Sequence, residues 1–278
     1  MNSKKRTTDL SVLVRLEGSL YGIPADFVHE MVQIPEVVSL PSAPPYVRGV
    51  VTLRGHAVPL IDLRVRLGMP SLKEEWVHLV ELLNAREQDH VNWLIELENS
   101  VKDKREFKLA TDPHKCAFGR WYDNFKTDNL ILGSVLKKFD EPHKRIHAIA
   151  QRVIELENKE AFDEAYAIIE STRATELSTM IQLFEETRTV LGTTMRELLL
   201  VVNTGGRDVA ISVDSVEAVE YVEKTDGGAM TSLYSEGAEE ITDSIGKRTA
   251  DDDALVMLLD AEKLVGHTSQ ITVESEVA

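Results

Sequence analysis

The hydrophobic pattern of this chain changes its period twice. Over residues 11–16, Val12, Val14 and Leu16 occupy every second position, with Ser11, Leu13 and Arg15 between them, which is typical of a β-strand. From about Ser71 the apolar residues recur at spacings of three, four or seven, which is the pattern of amphipathic helices. After about Arg196 the alternation returns, most clearly at residues 209–213. This order predicts a multi-domain protein in which a helical block interrupts a β structure.

Short strands separated by turn residues stand on both sides of the helical block, an arrangement that favours small β-barrels. Within the block, long helices are predicted from about Ser71, Asp140 and Lys159, with a shorter one after Cys116, enough for a four-helix bundle. Residues 226–253 are rich in Gly, Ser, Thr and acidic residues and predict a mobile loop. The predicted domain bounds are 1–70 and 197–278 for the two parts of the β structure and 71–196 for the helical insert.

Charge and hydropathy exclude several classes of protein. The net charge of −16 argues against binding to nucleic acid or anionic lipid, because phosphate binding needs clustered Lys and Arg. The longest apolar run, residues 254–259, is far shorter than the roughly 20 residues that span a bilayer. No hydrophobic signal-peptide segment follows the first basic residues, and a single cysteine cannot form an internal disulfide. We expect a cytoplasmic protein with no direct membrane insertion.

Three histidines and the single cysteine form a candidate metal site. His143 and His147 are four residues apart, so they project from one face of a helix and can bind one ion. His90 lies on the apolar stripe of its own predicted helix, and Cys116 stands between these histidines in the chain. Three imidazoles and one thiolate suit a closed tetrahedral Zn²⁺ site. The alternative is that each histidine is merely hydrogen-bonded and the cysteine is a small apolar filler.

The β segments before residue 70 resemble the first half of a CheW-type chemotaxis coupling protein. The segments concerned are Tyr21-Gly22-Ile23-Pro24, Leu40-Pro41-x-x-Pro44, Arg48-Gly49-Val50-Val51, Leu53-Arg54-Gly55 and Ile61-Asp62-Leu63-Arg64-x-Arg66-Leu67-Gly68. The resemblance implies two SH3-like β-barrel lobes, the second formed by the strands after the insert, and no catalytic residues. It also implies two partners, the cytoplasmic tip of a chemoreceptor and the histidine kinase CheA. Glu30, Arg48 and Arg54 match family positions that contact these partners, whereas Arg64 and Arg66 are interpreted as solvated charges.

The helical insert resembles the chemoreceptor zinc-binding (CZB) domain over about residues 75–191. The motifs that carry the resemblance are His90 with Trp93, Cys116-Ala117-Phe118-Gly119-Arg120-Trp121-Tyr122 and Pro142-His143-x-x-x-His147. The resemblance implies that His90, Cys116, His143 and His147 bind one zinc ion. Because CZB domains often dimerise, it also implies a possible homodimer through the helical bundle. His114 is interpreted as a solvated group or a group just outside the ligand set.

Cys116 is the candidate redox-sensing residue. A zinc-bound thiolate is the form that oxidants attack, and its oxidation weakens the Zn–S bond. CZB domains are associated with sensing of zinc and of oxidants such as hypochlorous acid through this cysteine. The alternative is a structural adaptor whose zinc only stabilises the bundle. We do not expect an enzyme, because the segment 143–147 lacks the Glu of the HExxH metalloproteases and four protein ligands leave no position for water.

Overall fold

The computed structural model describes residues 8–127, 129–194, 196–225, 238–249 and 254–266. The chain divides into two compact units. The β unit joins Met1–Glu74 to Arg196–Ala278, and the helical unit comprises Glu75–Met195. Within the described ranges, no helix combines the length and the apolar character needed to cross a membrane.

The elements of the described residues follow one another in three groups. The first group is β1 (Thr8–Leu16), β2 (Ser19–Pro24), a 3-10 turn (Ala25–Phe27), β3 (Val28–Gln33), β4 (Val37–Val38), β5 (Val47–Leu53), β6 (His56–Asp62) and α1 (Leu63–Arg66). The second is α2 (Leu72–Asp103), α3 (Ala117–Tyr122), α4 (Leu130–Lys137), α5 (Asp140–Glu157), α6 (Phe162–Thr172), a π-helical turn (Arg173–Leu177) and α7 (Ser178–Thr194). The third is β7 (Leu198–Thr204), β8 (Arg207–Val213), β9 (Ser215–Thr225), α8 (Ala238–Ile241), β10 (Thr242–Arg248), β11 (Leu255–Leu259) and α9 (Ala261–Val265).

Strands from before and after the helical unit pair with each other in both sheets of the β unit. One sheet is a closed barrel with the order β1-β2-β11-β10-β9. The other is a six-stranded sheet with the order β3-β7-β8-β6-β5-β4. The joining pairs are antiparallel between β1 and β9 and between β3 and β7, and parallel between β2 and β11 and between β6 and β8. Each lobe therefore contains strands from both parts of the chain.

This exchange corrects one detail of the sequence-based prediction. The fold class is confirmed in that the chain has two β lobes, with a helical region between their two parts in sequence. However, the lobes do not follow one another along the chain, because the β1–β2 hairpin belongs to the lobe completed by β9–β11. An alternating pattern indicates which face of a strand is buried but not which strand it pairs with. The partner strands could not be read from the periodicity.

The two lobes share an apolar core. Alternate residues of β1, among them Val12 and Val14, contribute to this core together with residues of β6, β7 and β8. Leu13, which points to the opposite side of β1, belongs to a separate cluster formed by strands of the barrel. β1 is therefore buried on both faces from Ser11 to Val14, whereas Leu10 near its start is 38% exposed.

The prediction of a mobile loop at residues 226–253 is wrong for its described part, which contains α8 and β10. β10 pairs with β9 and with β11 and so closes the barrel. Ile245 is its one large apolar residue, which is why the hydrophobic pattern gave no signal. A Cβ atom at Gly246 would lie 2.3 Å from Val222 Cγ1, so glycine permits the close packing of β10 on β9. Residues 226–237 and 250–253 lie outside the described residues.

The interpretation of Arg64 and Arg66 as solvated charges is also wrong. Arg64 is 4% exposed and donates from Nε and Nη2 to the two carboxylate oxygens of Asp214, at 2.7 and 2.6 Å. The guanidinium carbon of Arg66 lies 4.9 Å from the ring centroid of Tyr46. A buried guanidinium is tolerated because a carboxylate or an aromatic face replaces part of its hydration.

The helical unit has four helical passes around one apolar core: α2, α4, α5 and the continuous stretch from α6 through the π turn to α7. α4 was not predicted as a separate helix. α5 begins at the predicted position; Phe139 is its N-cap residue, and the Asp140 carboxylate in its first turn accepts a hydrogen bond from Lys144. The core is rich in aromatic residues, and Phe118, Phe139 and Phe184 are fully buried.

Candidate metal centre

Two helices and one loop bring the four candidate ligands together. His90 lies on α2, and His143 and His147 lie one turn apart on α5. Cys116 ends the loop that follows α2 and is the N-cap residue of α3. The three histidines are 3%, 5% and 2% exposed, whereas Cys116 is half-buried. The thiol is therefore the most accessible of the four groups.

The spacing of the donor atoms suits a metal ion. One atom from each of the four residues lies within 4.8 Å of the other three, and Cys116 Sγ is 3.2 Å from His143 Nε2. Around a tetrahedral Zn²⁺ ion, nitrogen and sulfur donors are about 3.3 to 3.8 Å apart. No pair has to move closer by more than about 1.5 Å to reach that spacing. The cluster could therefore hold a metal ion.

Backbone carbonyls orient two of the imidazole rings. His90 Nδ1 lies 2.7 Å from the carbonyl oxygen of Arg86, and His147 Nδ1 lies 3.1 Å from that of Ala110. Because a carbonyl oxygen can only accept, each Nδ1 carries the proton and each Nε2 keeps its lone pair. Both Nε2 atoms are buried without a hydrogen-bond partner among the described residues. A shared metal ion would satisfy both nitrogens, which are otherwise costly to bury.

Burial sets the protonation of the site. Burial, followed by repulsion from the neighbouring histidines, lowers the pKa of His143 to about 3, and burial lowers the pKa of His147 to about 4. The pKa of His90 is also lowered by burial. Burial raises the pKa of the Cys116 thiol, although backbone N–H groups act in the opposite direction. At neutral pH the imidazoles are ready to bind a metal, and the ion has to displace one proton, from sulfur.

Aromatic rings surround the imidazoles. The Phe118 ring centroid is 4.9 Å from that of His143 and 5.6 Å from that of His90. Trp93 packs against His147 with a centroid distance of 4.9 Å. These rings offer few hydrogen-bond partners and exclude water, which explains the lowered pKa values of the histidines. They also leave each imidazole little freedom to rotate.

Gly119 and the Pro113 carbonyl hold the Cys116 sulfur in place. The N–H of Gly119 donates to Sγ at 3.1 Å, and the thiol donates to the Pro113 carbonyl oxygen at 3.3 Å. A Cβ atom at Gly119 would lie 1.8 Å from the same carbonyl oxygen. The glycine in the Cys-x-x-Gly motif is therefore needed for a close backbone approach, and its N–H also favours the thiolate form.

The structure adds Ala110 to the residues that support the site. Its carbonyl oxygen accepts from Trp93 Nε1 at 2.8 Å as well as from His147. Sequence reasoning missed this residue because a backbone carbonyl leaves no mark in the side-chain pattern. His114 lies outside the cluster, where its Nδ1 is 2.8 Å from the Asp123 carboxylate and its side chain is 62% exposed.

The three candidate partner-binding residues lie in the β unit, and each has an ion-pair partner within the chain. Arg54 Nη2 donates to Glu30 Oε2 at 2.5 Å, and the Arg54 side chain is 80% exposed. Arg48 Nη1 donates to Glu197 Oε2 at 2.5 Å, and the Arg48 side chain is 28% exposed. Glu30 and Arg54 therefore form one surface site, whereas Arg48 belongs to a more buried pair with the residue that precedes β7.

Comparisons with known proteins match two regions of the chain. The family model of the CheW-like domain matches residues 11–91, and that of the chemoreceptor zinc-binding domain matches residues 90–154. The chain is 26% identical over 113 residues to the chemotaxis protein CheW of Bacillus subtilis (strain 168), covering 41% of this chain and 72% of that protein. The crystal structure of the scaffolding protein TtCheW from Thermoanaerobacter tengcongensis is similar with 13% identity and a TM-score of 0.42, covering 96% of this chain and 99% of that one.

Proposed function

Because the chain combines a CheW-like domain with a chemoreceptor zinc-binding domain, we propose that it is a non-catalytic scaffold that couples chemoreceptors to the histidine kinase CheA in the cytoplasm. Its helical insert binds one zinc ion and reports the zinc or oxidant state to the β unit. The observation that carries the proposal is the convergence of three imidazoles and one thiol within 4.8 Å. The proposed boundaries between the β structure and the insert are near residues 70 and 197.

The proposed zinc ligands are His90, Cys116, His143 and His147. Bound zinc would supply a closed four-coordinate link between α2, α5 and the start of α3. Two unpartnered Nε2 atoms and the hydrogen bonds that fix their lone pairs support this assignment. With four protein ligands no coordination position remains for a reactive water, so we propose no enzymatic activity at this site.

Cys116 is the proposed redox-sensing residue. Hypochlorous acid would take two electrons from the thiolate sulfur, which becomes a sulfenic acid as chloride leaves (Cys–S⁻ + HOCl → Cys–SOH + Cl⁻). A sulfenic acid is a poorer metal ligand than a thiolate, so oxidation lowers zinc affinity. The half-buried position of Cys116 supports this role, because its neighbours in the cluster are buried.

The chain leaves the six-stranded sheet at the end of β6 and re-joins it at the start of β7, and these two strands flank β8 in the middle of the sheet. Asp62 at the end of β6 pairs with Ser212, and Leu198 at the start of β7 pairs with Val213, the next residue of β8. We infer that a change in helix packing at the metal centre reaches the β unit through these two connections. Glu30, Arg48 and Arg54 are the proposed receptor or kinase contacts. Arg54 is the most exposed of the three, at 80%, against 24% for Glu30 and 28% for Arg48.

The alternative function is a structural adaptor in which zinc only stabilises the helical unit. It is favoured by the closed ligand set, which is the arrangement of structural zinc sites. The two functions differ in what oxidation does to the bound metal.

The test is zinc stoichiometry and affinity of the purified protein before and after mild hypochlorous acid. The sensing function predicts one tightly bound zinc per chain, released on oxidation in the wild type, together with altered binding to a receptor–CheA complex. His143→Ala should lose the metal, and His114→Ala, which removes an exposed histidine outside the cluster, should keep it. Zinc that stays bound through oxidation supports the structural adaptor, and a wild-type protein without zinc refutes both.

A further inference from the structure

A cavity of about 310 Å³ opens onto the metal centre inside the helical unit. It is lined by three of the four candidate ligands, His90, Cys116 and His147. Its remaining walls come from α2, from the loop between α2 and α3, and from the start of α3. Engineered apolar cavities of about 150 Å³ hold a benzene molecule, so this volume admits a molecule of several heavy atoms.

The cavity leads to the sulfur atom in particular. His90 and His147 are nearly fully buried, and their Nδ1 atoms are engaged by backbone carbonyls. Cys116 is half-buried, so it is the most accessible of the three candidate ligand residues that line the cavity. A metal centre that served only to link helices would need no opening of this size beside its single oxidisable ligand.

The lining favours uncharged molecules. Its apolar lining residues include Trp93, Phe118 and Leu109, and Asn92 is an uncharged polar residue beside them. Two charged residues also line it, but Asp89 is paired with Arg86 at 3.2 Å and Lys115 with Asp112 at 3.4 Å. A charged molecule would lose hydration against the apolar walls without gaining a free counter-charge, whereas a small neutral molecule would not.

Leu109 occupies a defined place in this lining. It is 44% exposed and lies in the connection between α2 and α3, between the anchored residues Phe107 and Ala110. Phe107 is buried with its ring 5.1 Å from that of Trp93, and the Ala110 carbonyl accepts from Trp93 and His147. The loop is therefore fixed on both sides of Leu109, and the leucine side chain stands between solvent and the cavity.

We propose that this cavity is the access passage and transient binding site for small uncharged electrophiles that react with Cys116 Sγ, with Leu109 controlling its width. Neutral two-electron oxidants are the biological class that fits. The biological meaning rests on the proposed redox function, but the selectivity of the passage by size and charge does not. Anionic or bulky reagents are excluded by the apolar walls and by the neighbouring Leu109 side chain.

The experiment measures labelling of Cys116, the single cysteine of the chain, in the full-length protein after its metal has been removed with a chelator. The probes are methyl methanethiosulfonate and its negatively charged sulfonatoethyl analogue. Each transfers its alkylthio group to sulfur, so that a disulfide forms and methanesulfinic acid leaves. Rates followed by mass spectrometry are divided by those of the urea-unfolded chain, which removes the intrinsic reactivity of each probe. The passage predicts that folding slows the charged probe at least tenfold more than the neutral one.

Substitutions at Leu109 test whether this residue controls the width of the passage. Leu109→Trp should slow the neutral probe at least fivefold, and Leu109→Ala should accelerate the charged probe. Leu130→Trp is the matched control, because Leu130 is 88% exposed on α4 and does not line the cavity, and it should leave both rates within twofold. Circular dichroism verifies that each variant is folded.

The outcomes separate this proposal from the zinc function. The proposed passage is refuted, even if zinc binds, if folding protects Cys116 equally against both probes. It is also refuted if neither Leu109 substitution changes the labelling rates. Selective labelling in a protein that binds no zinc supports the passage and refutes the proposed zinc function. In the zinc-loaded protein, the passage predicts that Leu109→Trp also slows zinc release by hypochlorous acid, measured with a chromogenic chelator.

Discussion

Substitution of Gly119 by alanine tests the architecture of the metal centre most directly. The added Cβ would lie 1.8 Å from the Pro113 carbonyl oxygen, and real Cβ contacts essentially never fall below 3.0 Å. The carbonyl and the glycine must therefore separate by at least 1.2 Å (3.0 minus 1.8). The same carbonyl and the Gly119 N–H hold the Cys116 sulfur at 3.3 and 3.1 Å, so that movement displaces the sulfur. Metal–ligand distances tolerate only about 0.2 Å of deviation.

Two effects of Gly119→Ala should be measurable. Groups that orient a ligand typically contribute about 10- to 100-fold to metal affinity, so we expect zinc affinity to fall by at least about tenfold. Overpacking against a fixed backbone costs about 1–3 kcal/mol, so the metal-free helical unit should also unfold at lower denaturant concentration. Competition with a chromogenic chelator measures the affinity, and urea unfolding followed by circular dichroism measures the stability.

Gly133→Ala is the control for Gly119→Ala. Gly133 lies on α4, and its added Cβ would have one neighbour, Thr127 Cγ2, at 3.8 Å, an ordinary contact. Replacing a helical glycine by alanine should stabilise the unit by about 0.5–1 kcal/mol without changing zinc affinity. If Gly119→Ala behaves like this control, the close approach of the Pro113 carbonyl does not hold the sulfur, and the reasoning is refuted.

Three further predictions follow from protonation and burial. Zinc binding at pH 7 should release about one proton, because only the Cys116 thiol is protonated at its donor atom, and zinc binding to Cys116→Ser should release almost none. Calorimetry in buffers of different ionisation enthalpy measures the number of protons. Release of several protons would mean that the imidazoles are charged. Because the pKa values of His143 and His147 are lowered in the folded state, these rings take up protons at a higher pH in the unfolded state. As the pH falls from about 6.5 towards 4, the free energy of unfolding of the metal-free protein should therefore decrease by up to about 1.4 kcal/mol per pH unit for each ring. A denaturant midpoint that does not change over this pH range would contradict the prediction. Arg64→Met should lower the free energy of unfolding in urea by about 3 kcal/mol, because the half-buried Asp214 carboxylate loses its charged partner. Arg54→Met should lower it by less than about 1 kcal/mol, because Arg54 is exposed. Equal effects of the two substitutions would contradict the assigned burial.

The ligand residues were the most predictable part of the molecule. His143 and His147 stand at helical spacing, and Cys116 is the single cysteine, so residue type and periodicity made them candidates, and the resemblance to CZB domains implied the full ligand set. The groups that orient them could not be proposed from the same signals. The carbonyl of Ala110 and the close approach at Gly119 are properties of the folded backbone, and the sequence indicates at most that a glycine is present.

Strand partners and buried charges were less predictable than helices. The α2 and α5 patterns carry helical periodicity over many residues, whereas β10 carries one apolar side chain and is held by backbone pairing on both sides. Arg64 was taken for a solvated charge because its partner, Asp214, lies 150 positions later in the chain. Local sequence patterns predict the burial of most residues, but they do not predict a buried charge whose ion-pair partner is distant in sequence.

The exchange of strands between the lobes sets the order in which the protein can fold. Arg15 in β1 pairs with Ser215 in β9, 200 positions later, and β3 pairs with β7, so neither sheet can be completed from the residues made before the insert. Contacts this distant in sequence form slowly, because loop closure costs entropy before the pairing returns any stability. The helical unit is one continuous segment, Glu75–Met195, so we expect it to fold first, while β1 to β6 still have unpaired edges. In this order a folded, metal-loaded insert shortens the flexible loop between the two parts of the β unit. A failure to load the metal would prolong the time in which those strands can aggregate.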